Sequence, residues 1–485
     1  MAREIELKLE LTPAAADALI KSDQFPAAPS VLRQRTVYFD TPARDLSGAG
    51  FQIRIREAGG LRIQTVKATG TETAGLFARP EWEQPIEDDS PVIDDTTPLR
   101  ALLGAKAHEI GPAFEVHVER RTWNVTQNGT VIELVLDRGE IVAGERRTPV
   151  CEIELELKSG SPSDLFAFAR RIDAIVPLKL GVLNKSERGY RLLGPAIRTV
   201  KAEPIALSLD MTAAAAFRHI AGACLRQFRL NEVLLDFNNA EALHQARVAL
   251  RRLRSAFTIH KPMLEDGRFD HLRQELRWLA SALGEARDLD VLIARSNGEE
   301  VRAKLEAARA DAYDQARMAL ASPRARSLMF DLSEWLALGE WLMLPSGEEV
   351  REQPARDFAA MALDRFRRRV KRSGGDLADI DDSARHELRK DAKKLRYATE
   401  FFAALFDRKR QKRRHKKFLS ALEALQDHLG ALNDLATAPE LLARLGLDND
   451  PAAAALLEPG KNRAELIEEA AEAHDMFVDA KRFWR

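Results

Sequence analysis

Apolar and polar positions alternate in short runs through the first 200 residues of the chain. The segments EIELKLEL at 4–11 and CEIELELK at 151–158 share one such pattern. Their charged positions are Glu4, Glu6 and Lys8 in the first segment, and Glu152, Glu154, Glu156 and Lys158 in the second. Because alternate side chains of a strand share one face, the pattern predicts strands with one charged face and one apolar face. A single strand of this kind is usually half-buried, with its charged face in water.

The same alternation recurs between these two segments, and turn sequences such as AGG, QNG and DRG separate the runs. We therefore predict a meander of antiparallel strands. The predicted strands lie at 35–41, 51–57, 61–68, 81–87, 114–125, 130–144 and 151–158. Helical spacing interrupts them at 12–22 and at 162–175, where Ser161 and Pro162 form a typical helix start.

The pattern changes near residue 200. Beyond a proline-containing linker at 196–207, apolar residues recur at spacings of three and four, which predicts an all-helical region at 208–485. The expected fold class is thus a multidomain α+β chain. Its first domain, at 1–195, would be an antiparallel β-barrel with flanking helices, closed into a tunnel.

The helical region also repeats itself. HQARVALRRLRSAF begins at His244 and HELRKDAKKLRYATEF begins at His386, and a second pair of similar segments begins at Leu279 and Leu425. Two related helical bundles, at about 208–345 and 350–485, would therefore face each other about a pseudo-twofold axis.

Composition narrows the class of protein. The chain has 485 residues, of which 45% are hydrophobic and 31% charged, as in globular proteins of two or more domains. The formal net charge of −1 gives no overall field that would identify a partner. Two distant cysteines and the absence of a long apolar run favour a cytoplasmic protein without a disulfide framework.

The charged strand faces have a chemical interpretation if they line an enclosed passage. Clustered carboxylates repel one another unless a cation neutralises them, and oxygen-only ligands suit Mg²⁺ or Mn²⁺. Arginine and lysine on facing strands would contact phosphate oxygens. Carboxylates that bind a metal, together with cations that bind phosphate, suit phosphoryl transfer from a polyanion.

The ordered set EIELK, YFDT, IRIR, TVK, RPEWE, LDRGE, EIELE and NKSERGY resembles the CYTH family of triphosphate tunnel metalloenzymes over about 1–195, most closely its inorganic triphosphatases. The resemblance implies Mg²⁺ or Mn²⁺ as the cofactor. It implies that the phosphate-contacting, catalytic cations are Lys8, Arg54, Arg56, Lys67, Arg120 and Lys185. It implies that the residues that bind metal or orient water are Glu4, Glu6, Glu81, Asp137, Glu152, Glu154 and Glu156.

One face of the helix that begins near His244 carries only basic residues, and the helix near His386 repeats this stripe. Like charges at these spacings destabilise a helix unless an anion neutralises them, so two matching stripes indicate a shared anionic ligand. The stripes resemble the CHAD family, the conserved-histidine α-helical domain, which binds inorganic polyphosphate. The resemblance implies that the polyphosphate-binding residues are His244, Arg247, Arg251, Arg254, His386, Arg389, Lys393 and Arg396.

The leading hypothesis is therefore metal-dependent hydrolysis of inorganic triphosphate by the first domain and polyphosphate binding by the second. One alternative is a polyphosphate-binding protein without turnover. Another is a hydrolase or cyclase of an organic triphosphate, such as thiamine triphosphate or ATP. Nucleic acid is a less favoured partner because no aromatic residues accompany the basic stripes. Polyphosphate binding leaves open an association with polyphosphate granules in the cytoplasm.

Overall fold

The computed structural model describes residues 4–22, 24–25, 28–68, 71–73, 76–235, 239–296, 298–447, 453 and 462–485. The chain divides into two compact units. The first contains 1–198 together with 323–339, and the second contains 199–322 and 340–485. No helix among the described residues is long and apolar enough to cross a membrane.

The first unit is built on an antiparallel sheet of eleven strands. The strands are β1 (Glu4–Glu10), β2 (Ser30–Asp40), β3 (Phe51–Ala58), β4 (Leu61–Ala68), β5 (Thr71–Thr73), β6 (Leu76–Arg79), β7 (Glu81–Pro85), β8 (Gly111–Gln127), β9 (Thr130–Ala143), β10 (Arg146–Ser159) and β11 (Lys179–Leu180). The hydrogen-bonded order is β5-β6-β1-β10-β9-β8-β2-β3-β4-β7, and β11 pairs with β1. Every predicted strand segment forms a strand with antiparallel partners, but the order is not a simple meander, because β1 lies beside β10 and β2 lies beside β8.

The prediction of a closed barrel is not borne out. The strand order of the described residues has two ends, β5 and β7, rather than a continuous ring. Pro80 interrupts the chain between β6, which pairs with β1, and β7, which pairs with β4. Proline has no backbone N–H to donate, so Pro80 takes part in the sheet only as an acceptor, from the backbone N–H of Ala68 at 3.2 Å.

The apolar positions of the alternating strands form the core of the first unit, as the sequence predicts. Leu7 and Leu9 of β1 and Ile153 and Leu155 of β10 are fully buried. The helices that accompany the sheet are α1 (Pro13–Ile20), α2 (Asp45–Gly48), α3 (Leu99–Leu103), α4 (Pro162–Asp173) and α5 (Lys185–Leu193). Helices α1 and α4 confirm the two helical segments expected from the spacing of apolar residues.

One helix of the first unit comes from the helical half of the sequence. Helix α11 (Pro323–Leu338) contacts α4, β5 and β11. Arg170 of α4 lies 2.7 Å from a carboxylate oxygen of Asp331 and 2.7 Å from one of Glu334. A second ion pair has its base on α11 and its acid on α4, because Arg326 lies 2.7 Å from Asp173. Two reciprocal sets of ion pairs therefore connect α4 to α11.

The second unit is helical. Its helices are α6 (Ala213–Glu232), α7 (Ala240–His260), α8 (Phe269–Ala282), α9 (Gly284–Arg295), α10 (Glu299–Ala321), α12 (Glu348–Glu352), α13 (Ala355–Ser373), α14 (Asp382–Phe401), α15 (Lys409–Arg444) and α16 (Arg463–Asp479). The two stripe-bearing segments of the sequence form α7 and α14, which pack against each other. Side chains of Asn239 and Asp381 cap their N-termini, as polar residues do at helix starts.

Apolar residues of α7 and α14 hold the basic faces in place. Leu250 and Leu253 of α7 and Leu388 and Leu395 of α14 are fully buried. Because these leucines occupy one side of each helix, the basic positions between them must lie on the other sides.

Candidate functional site

The charged faces of the first unit meet around one cavity of about 740 Å³. Its lining comes from eight strands and from the start of α5. The charged lining residues are Glu6, Lys8, Arg54, Arg56, Lys67, Glu81, Glu83, Arg120, Glu133, Glu154, Glu156, Lys158 and Lys185. The charged rows of separate strands therefore face one common cavity.

Strand register builds the acidic wall of this cavity. Glu6 of β1 lies opposite Glu156 of β10, and Glu156 lies opposite Glu133 of β9. One step along the same face, Lys8 lies opposite Glu154. Since cross-strand neighbours on one face are about 5 Å apart, these rows bring carboxylates together across three strands.

Lys185 occupies the deepest part of the acidic wall. It is the first residue of α5, and the side chain of Asn184 caps that helix. Its Nζ atom lies 2.7 Å from Asp137, 2.5 Å from Glu152 and 3.0 Å from Glu154. Burial lowers the pKa of this ammonium, but the three carboxylates outweigh burial and raise the pKa overall.

Arg120 and Lys8 complete this compensated cluster. Arg120 makes a bidentate pair with Asp137, at 2.8 and 2.6 Å, and its Nη2 atom lies 3.2 Å from Glu154. Lys8 pairs with Glu154 and lies 3.1 Å from Glu6. Although burial raises the pKa of the Glu154 carboxyl, Lys185, Lys8 and Arg120 hold it well below its usual range.

The basic wall on β3 carries less counter-charge, because Arg54 lies 3.8 Å from Glu81 and Arg56 makes no ion pair among the described residues. The Nε atoms of Arg54 and Arg56 are buried without a hydrogen-bond partner among the described residues. The nearby guanidinium of Arg54, together with burial and Arg120, lowers the pKa of Arg56 to about 10. Crowded arginines with unsatisfied donors are the arrangement that an anion relieves.

The remaining predicted cation, Lys67, lies at the edge of the basic wall. Its Nζ atom is 3.0 Å from Glu81, which is also 3.8 Å from Arg54. Glu81 therefore contacts cations of β3 and β4 at the wall of the same cavity.

The predicted acidic residues fall into two groups. Asp137, Glu152 and Glu154 offer oxygen atoms within 4.8 Å of one another, but Lys185 already contacts all three. Glu6 and Glu156 line the cavity. The side chain of Glu4 lies outside the described residues.

Several lining residues were not singled out from the sequence. Tyr38 is buried and shares its strand face with Gln34 and Thr36. Although burial raises the pKa of its hydroxyl, the guanidinium of Arg54 and other cations lower it overall. Alternation along RTVYFDT at 35–41, which points Tyr38 to the same side as Thr36, was the available signal.

Lys158, which a position near a strand end predicts to be solvated, is exposed, and it also lines the cavity. Its Nζ atom lies 2.7 Å from Glu156 and 3.1 Å from Glu133 at the wall of the cavity. Lys158 lies near the end of β10, where carboxylates of two strands pair with its exposed side chain.

The second unit contains a trough of about 870 Å³. Its lining includes one or more residues of α7, α9, α14 and α15. Five of the eight predicted polyphosphate-binding residues line it: His244, Arg251, Arg389, Lys393 and Arg396.

Cations crowd one another at the centre of the trough. Burial, then Arg251 and Arg389, lower the pKa of the Lys393 ammonium to about 7. The Nε atoms of Arg251 and Arg389 are buried without a hydrogen-bond partner among the described residues. Arg396 differs, because it lies 2.9 Å from Glu400 and 3.8 Å from Glu423.

The other three predicted residues do not line the trough. Arg247 donates to the carbonyl oxygen of Ala280 at 3.2 Å, and His386 Nδ1 lies 2.7 Å from Asn433 Oδ1. Arg254 is exposed, with cationic Arg273 and Arg277 nearby.

Family models match two consecutive parts of the chain. The CYTH model matches residues 2–190, and the CHAD model matches residues 219–443. The chain carries a CYTH domain followed by a CHAD domain. The resemblance deduced from the sequence is confirmed in both identity and order.

The CYTH domain also matches a curated relative. The chain is 32% identical over 198 residues to the inorganic triphosphatase of Haemophilus influenzae. The match covers 40% of this chain and 55% of the relative, so the chain spans about half of the relative's length.

Solved structures resemble each part of the chain. The CHAD domain from Ricinus communis is 29% identical, with a TM-score of 0.47, and the match covers 59% of this chain and 94% of that structure. HpAC1 from Hippeastrum, an adenylyl cyclase-type protein described as having a dominant triphosphatase activity, is 20% identical, with a TM-score of 0.30. That match covers 39% of this chain and 96% of HpAC1.

Proposed function

We propose that the CYTH domain hydrolyses inorganic triphosphate with Mg²⁺ or Mn²⁺, and that the CHAD domain binds polyphosphate. The main support for this proposal is that one cavity has an acidic wall and a basic wall. The acidic wall contains Glu6, Glu154 and Glu156, whereas Arg54 and Arg56 present buried, unsatisfied donors. The inorganic triphosphatase relative supports the choice of substrate.

In this proposal the basic wall binds the phosphate chain. Arg54, Arg56 and Lys67 contact phosphate oxygens, and Arg120, Lys8 and Lys185 complete the cationic set. An anion would satisfy the free Nε donors and relieve the repulsion that lowers the pKa of Arg56. Cations fixed before the reaction can stabilise the charge that develops on the transferring phosphoryl group.

The carboxylates that line the cavity suit a hard divalent cation. Glu6, Glu154 and Glu156 supply only oxygen ligands, and we propose that Glu4 and Glu81 add to this set. When bound, such a cation polarises a phosphate oxygen and lowers the pKa of a coordinated water. Lys185 contacts Glu154 as well as Asp137 and Glu152, and we propose that these last two, which do not line the cavity, hold Lys185 in position.

The proposed reaction breaks the P–O bond between the terminal phosphoryl group and the rest of the triphosphate. The oxygen of water forms the new bond to phosphorus, and pyrophosphate leaves with the bridging oxygen. The lysine and arginine side chains of the protein would hold the phosphate oxygens in place during this displacement.

The trough of the CHAD domain has the features of a binding site without those of a catalytic one. Arg251, Arg389 and Lys393 crowd together, and Lys393 gives up its proton easily in the absence of an anion. A polyphosphate chain would neutralise these cations along its length. We propose that this domain tethers the protein to polyphosphate in the cytoplasm or supplies its substrate.

Phosphate release from triphosphate tests the catalytic proposal. We expect activity that requires Mg²⁺ or Mn²⁺ and is abolished by a chelator. Arg56→Ala should lower kcat/KM by about 10²–10³-fold, since it removes one fixed cation from the transition state. The matched control is Arg62→Ala, because Arg62 lies on the neighbouring strand, pairs with Asp89 at 2.8 Å and does not line the cavity.

A substrate panel separates the alternatives. Full activity in both Glu6→Gln and Arg56→Ala would overturn the assignment of the site. Binding of triphosphate without phosphate release under any metal condition would favour a binding protein without turnover. Faster turnover of thiamine triphosphate or ATP than of inorganic triphosphate would assign an organic substrate instead.

A further inference from the structure

Helix α15 begins with a run of cations that the proposed function does not use. From Arg408 to Lys417, every charged residue is basic. Seven of these side chains are exposed: Arg408, Lys409, Arg410, Lys412, Arg413, Lys416 and Lys417. No ion pair joins any of them to a carboxylate in the part of the chain that the structure describes.

This arrangement is unfavourable for an isolated helix. Like charges three and four residues apart repel each other, and cations at a helix N-terminus oppose the helix dipole. Helix α10 shows the ordinary alternative, because there Arg302 pairs with Glu306 and Lys304 pairs with Glu300. The run on α15 is therefore a surface that an anionic ligand would stabilise.

The run lies on the same helical face as the trough. The residues of α15 that line the trough are His415, Gln426, Asp427, Gly430, Ala431 and Asp434. At 100° per residue, they occupy a sector of about 160° around the helix axis. Lys409, Lys412, Arg413 and Lys416 fall within that sector, whereas Arg410 and Lys417 fall outside it.

The trough and the run are also adjacent along the axis. His415 is the lining residue of α15 closest to its N-terminus, and its ring nitrogen Nε2 lies 3.2 Å from the carbonyl oxygen of Thr399. Lys409 precedes it by about 9 Å of helix. The acids of this face lie beyond His415, where Glu423 faces Arg396 at 3.8 Å and Asp434 lies 3.1 Å from Arg295.

We propose that Lys409, Lys412, Arg413 and Lys416 form an outer anion-binding surface that continues the trough along α15. Its ligand is the part of a linear polyphosphate chain that extends beyond the trough. This inference rests on the proposed binding of polyphosphate by the CHAD domain. Its consequence is selectivity for chain length, because a short chain fills the trough without reaching the outer surface.

A phosphate polymer fits this surface better than nucleic acid. Residues 409–417 contain no aromatic side chain other than His415, so the run offers no platform on which bases could stack. A single row of cations along one helical face matches a ligand with one charged backbone. Each additional phosphate contact should increase the salt dependence of binding.

The test compares two pairs of substitutions on the same helix. Lys412→Gln with Lys416→Gln removes two cations from the face of the trough. Arg410→Gln with Lys417→Gln removes two equally exposed cations from another face, with the same change in net charge. Both are made in full-length protein that carries Arg54→Ala and Arg56→Ala, so that anion binding in the CYTH cavity does not contribute.

Titration with long-chain polyphosphate and with triphosphate gives the readout. We expect the first pair to weaken long-chain binding about tenfold and to reduce its salt dependence, with triphosphate affinity unchanged. The second pair should weaken long-chain binding by less than about threefold. Equal effects of the two pairs, or no effect of the first, would overturn the inference.

Two further measurements separate this inference from the proposed function. If Arg251→Ala with Arg389→Ala leaves polyphosphate binding intact, the trough assignment fails, and the comparison of the two α15 pairs still shows whether the outer surface binds polyphosphate. If duplex DNA or anionic vesicles bind more tightly than polyphosphate, with the same dependence on Lys412 and Lys416, the surface serves another ligand and the inference is wrong.

Discussion

Two lysines, one buried and one half-buried, show how the two units differ. Lys185 in the CYTH cavity lies within 3.0 Å of three carboxylates, which raise its pKa despite burial. Lys393 in the CHAD trough lies among arginines, and burial together with those arginines lowers its pKa to about 7. Burial opposes the charge of both ammonium groups, so their neighbours decide the outcome.

Under the proposed function, the contrast separates two ways of preparing a site for a phosphate ligand. The deep wall of the CYTH cavity carries its own neutralising charges, so its geometry is fixed before substrate arrives. The centre of the trough is strained by like charges until an anion binds. The first arrangement suits catalysis, which needs groups held in place. The second suits reversible binding of a polymer, because part of the binding energy comes from relieving repulsion.

The largest effect is expected when Lys185, the lysine that three carboxylates surround, is replaced by an uncharged residue. Lys185→Met leaves Asp137 and Glu152 buried with one cation fewer. We expect a loss of about 3–5 kcal/mol in the free energy of unfolding, as is typical when one partner of a buried ion pair is removed. Chemical denaturation measures it. The companion variant Lys179→Met changes a half-buried lysine of the same unit, on β11, and should cost much less. Equal losses would contradict the role given to Lys185.

The pH dependence of polyphosphate binding sharpens the contrast. Without ligand, Lys393 loses its proton near pH 7, whereas a bound anion would raise its pKa again. Binding above pH 7 must therefore take up a proton, and the affinity should fall by up to about tenfold per pH unit.

Lys393→Arg provides the control for this measurement, because arginine stays charged over the whole range. We expect its affinity for polyphosphate to be nearly constant between pH 7 and 9. A parallel decline in wild type and Lys393→Arg would show that another group titrates.

A smaller effect is expected on stability in the absence of polyphosphate. The folded pKa of Lys393 lies below its unfolded value of 10.5, so the unfolded chain binds more protons between those values and stability rises with pH through that window. Lys393→Met should therefore raise the melting temperature at pH 6 by about 2–4 °C. The gain should disappear near pH 10, and a constant gain would implicate packing rather than charge.

The smallest effect concerns a glycine that repeats in both halves of the CHAD domain. A Cβ atom at Gly284 would lie 3.1 Å from Arg247 Nη1, whereas one at Gly430 would lie 3.9 Å from Arg389 Nη2. Gly284→Ala must displace its arginine slightly, and Gly430→Ala need not. We expect Gly284→Ala to change polyphosphate affinity by about two- to threefold and Gly430→Ala to leave it unchanged, as measured by titration.

Much of the fold and the membership of both sites could be predicted from the sequence. Strand alternation placed Glu6, Arg54 and Glu154 on inward faces, because side-chain direction in a strand follows a period of two. Helical periodicity likewise placed Arg251 and Lys393 on related faces of α7 and α14. These are local rules, and the chain obeys them.

Contacts between distant segments could not be predicted in the same way. Lys185 has the residue type of a phosphate contact, and only the packing of α5 shows that carboxylates surround it. Arg247 lies on the predicted face of its helix, but it does not line the trough. Its guanidinium donates to the carbonyl oxygen of Ala280, in space that the absence of a side chain at Gly284 leaves open. Periodicity gives the direction of a side chain and leaves its distant neighbours undetermined.

Helix α11 has a consequence for the order in which the protein is made. Arg170 and its partner Glu334 are separated by 164 residues, and nearly half of the second unit is encoded between them. When all strands of the sheet have left the ribosome, α11, which pairs with α4, has not yet been synthesised. The first unit therefore acquires its last element only after much of the second has emerged, although its strands come first in the chain.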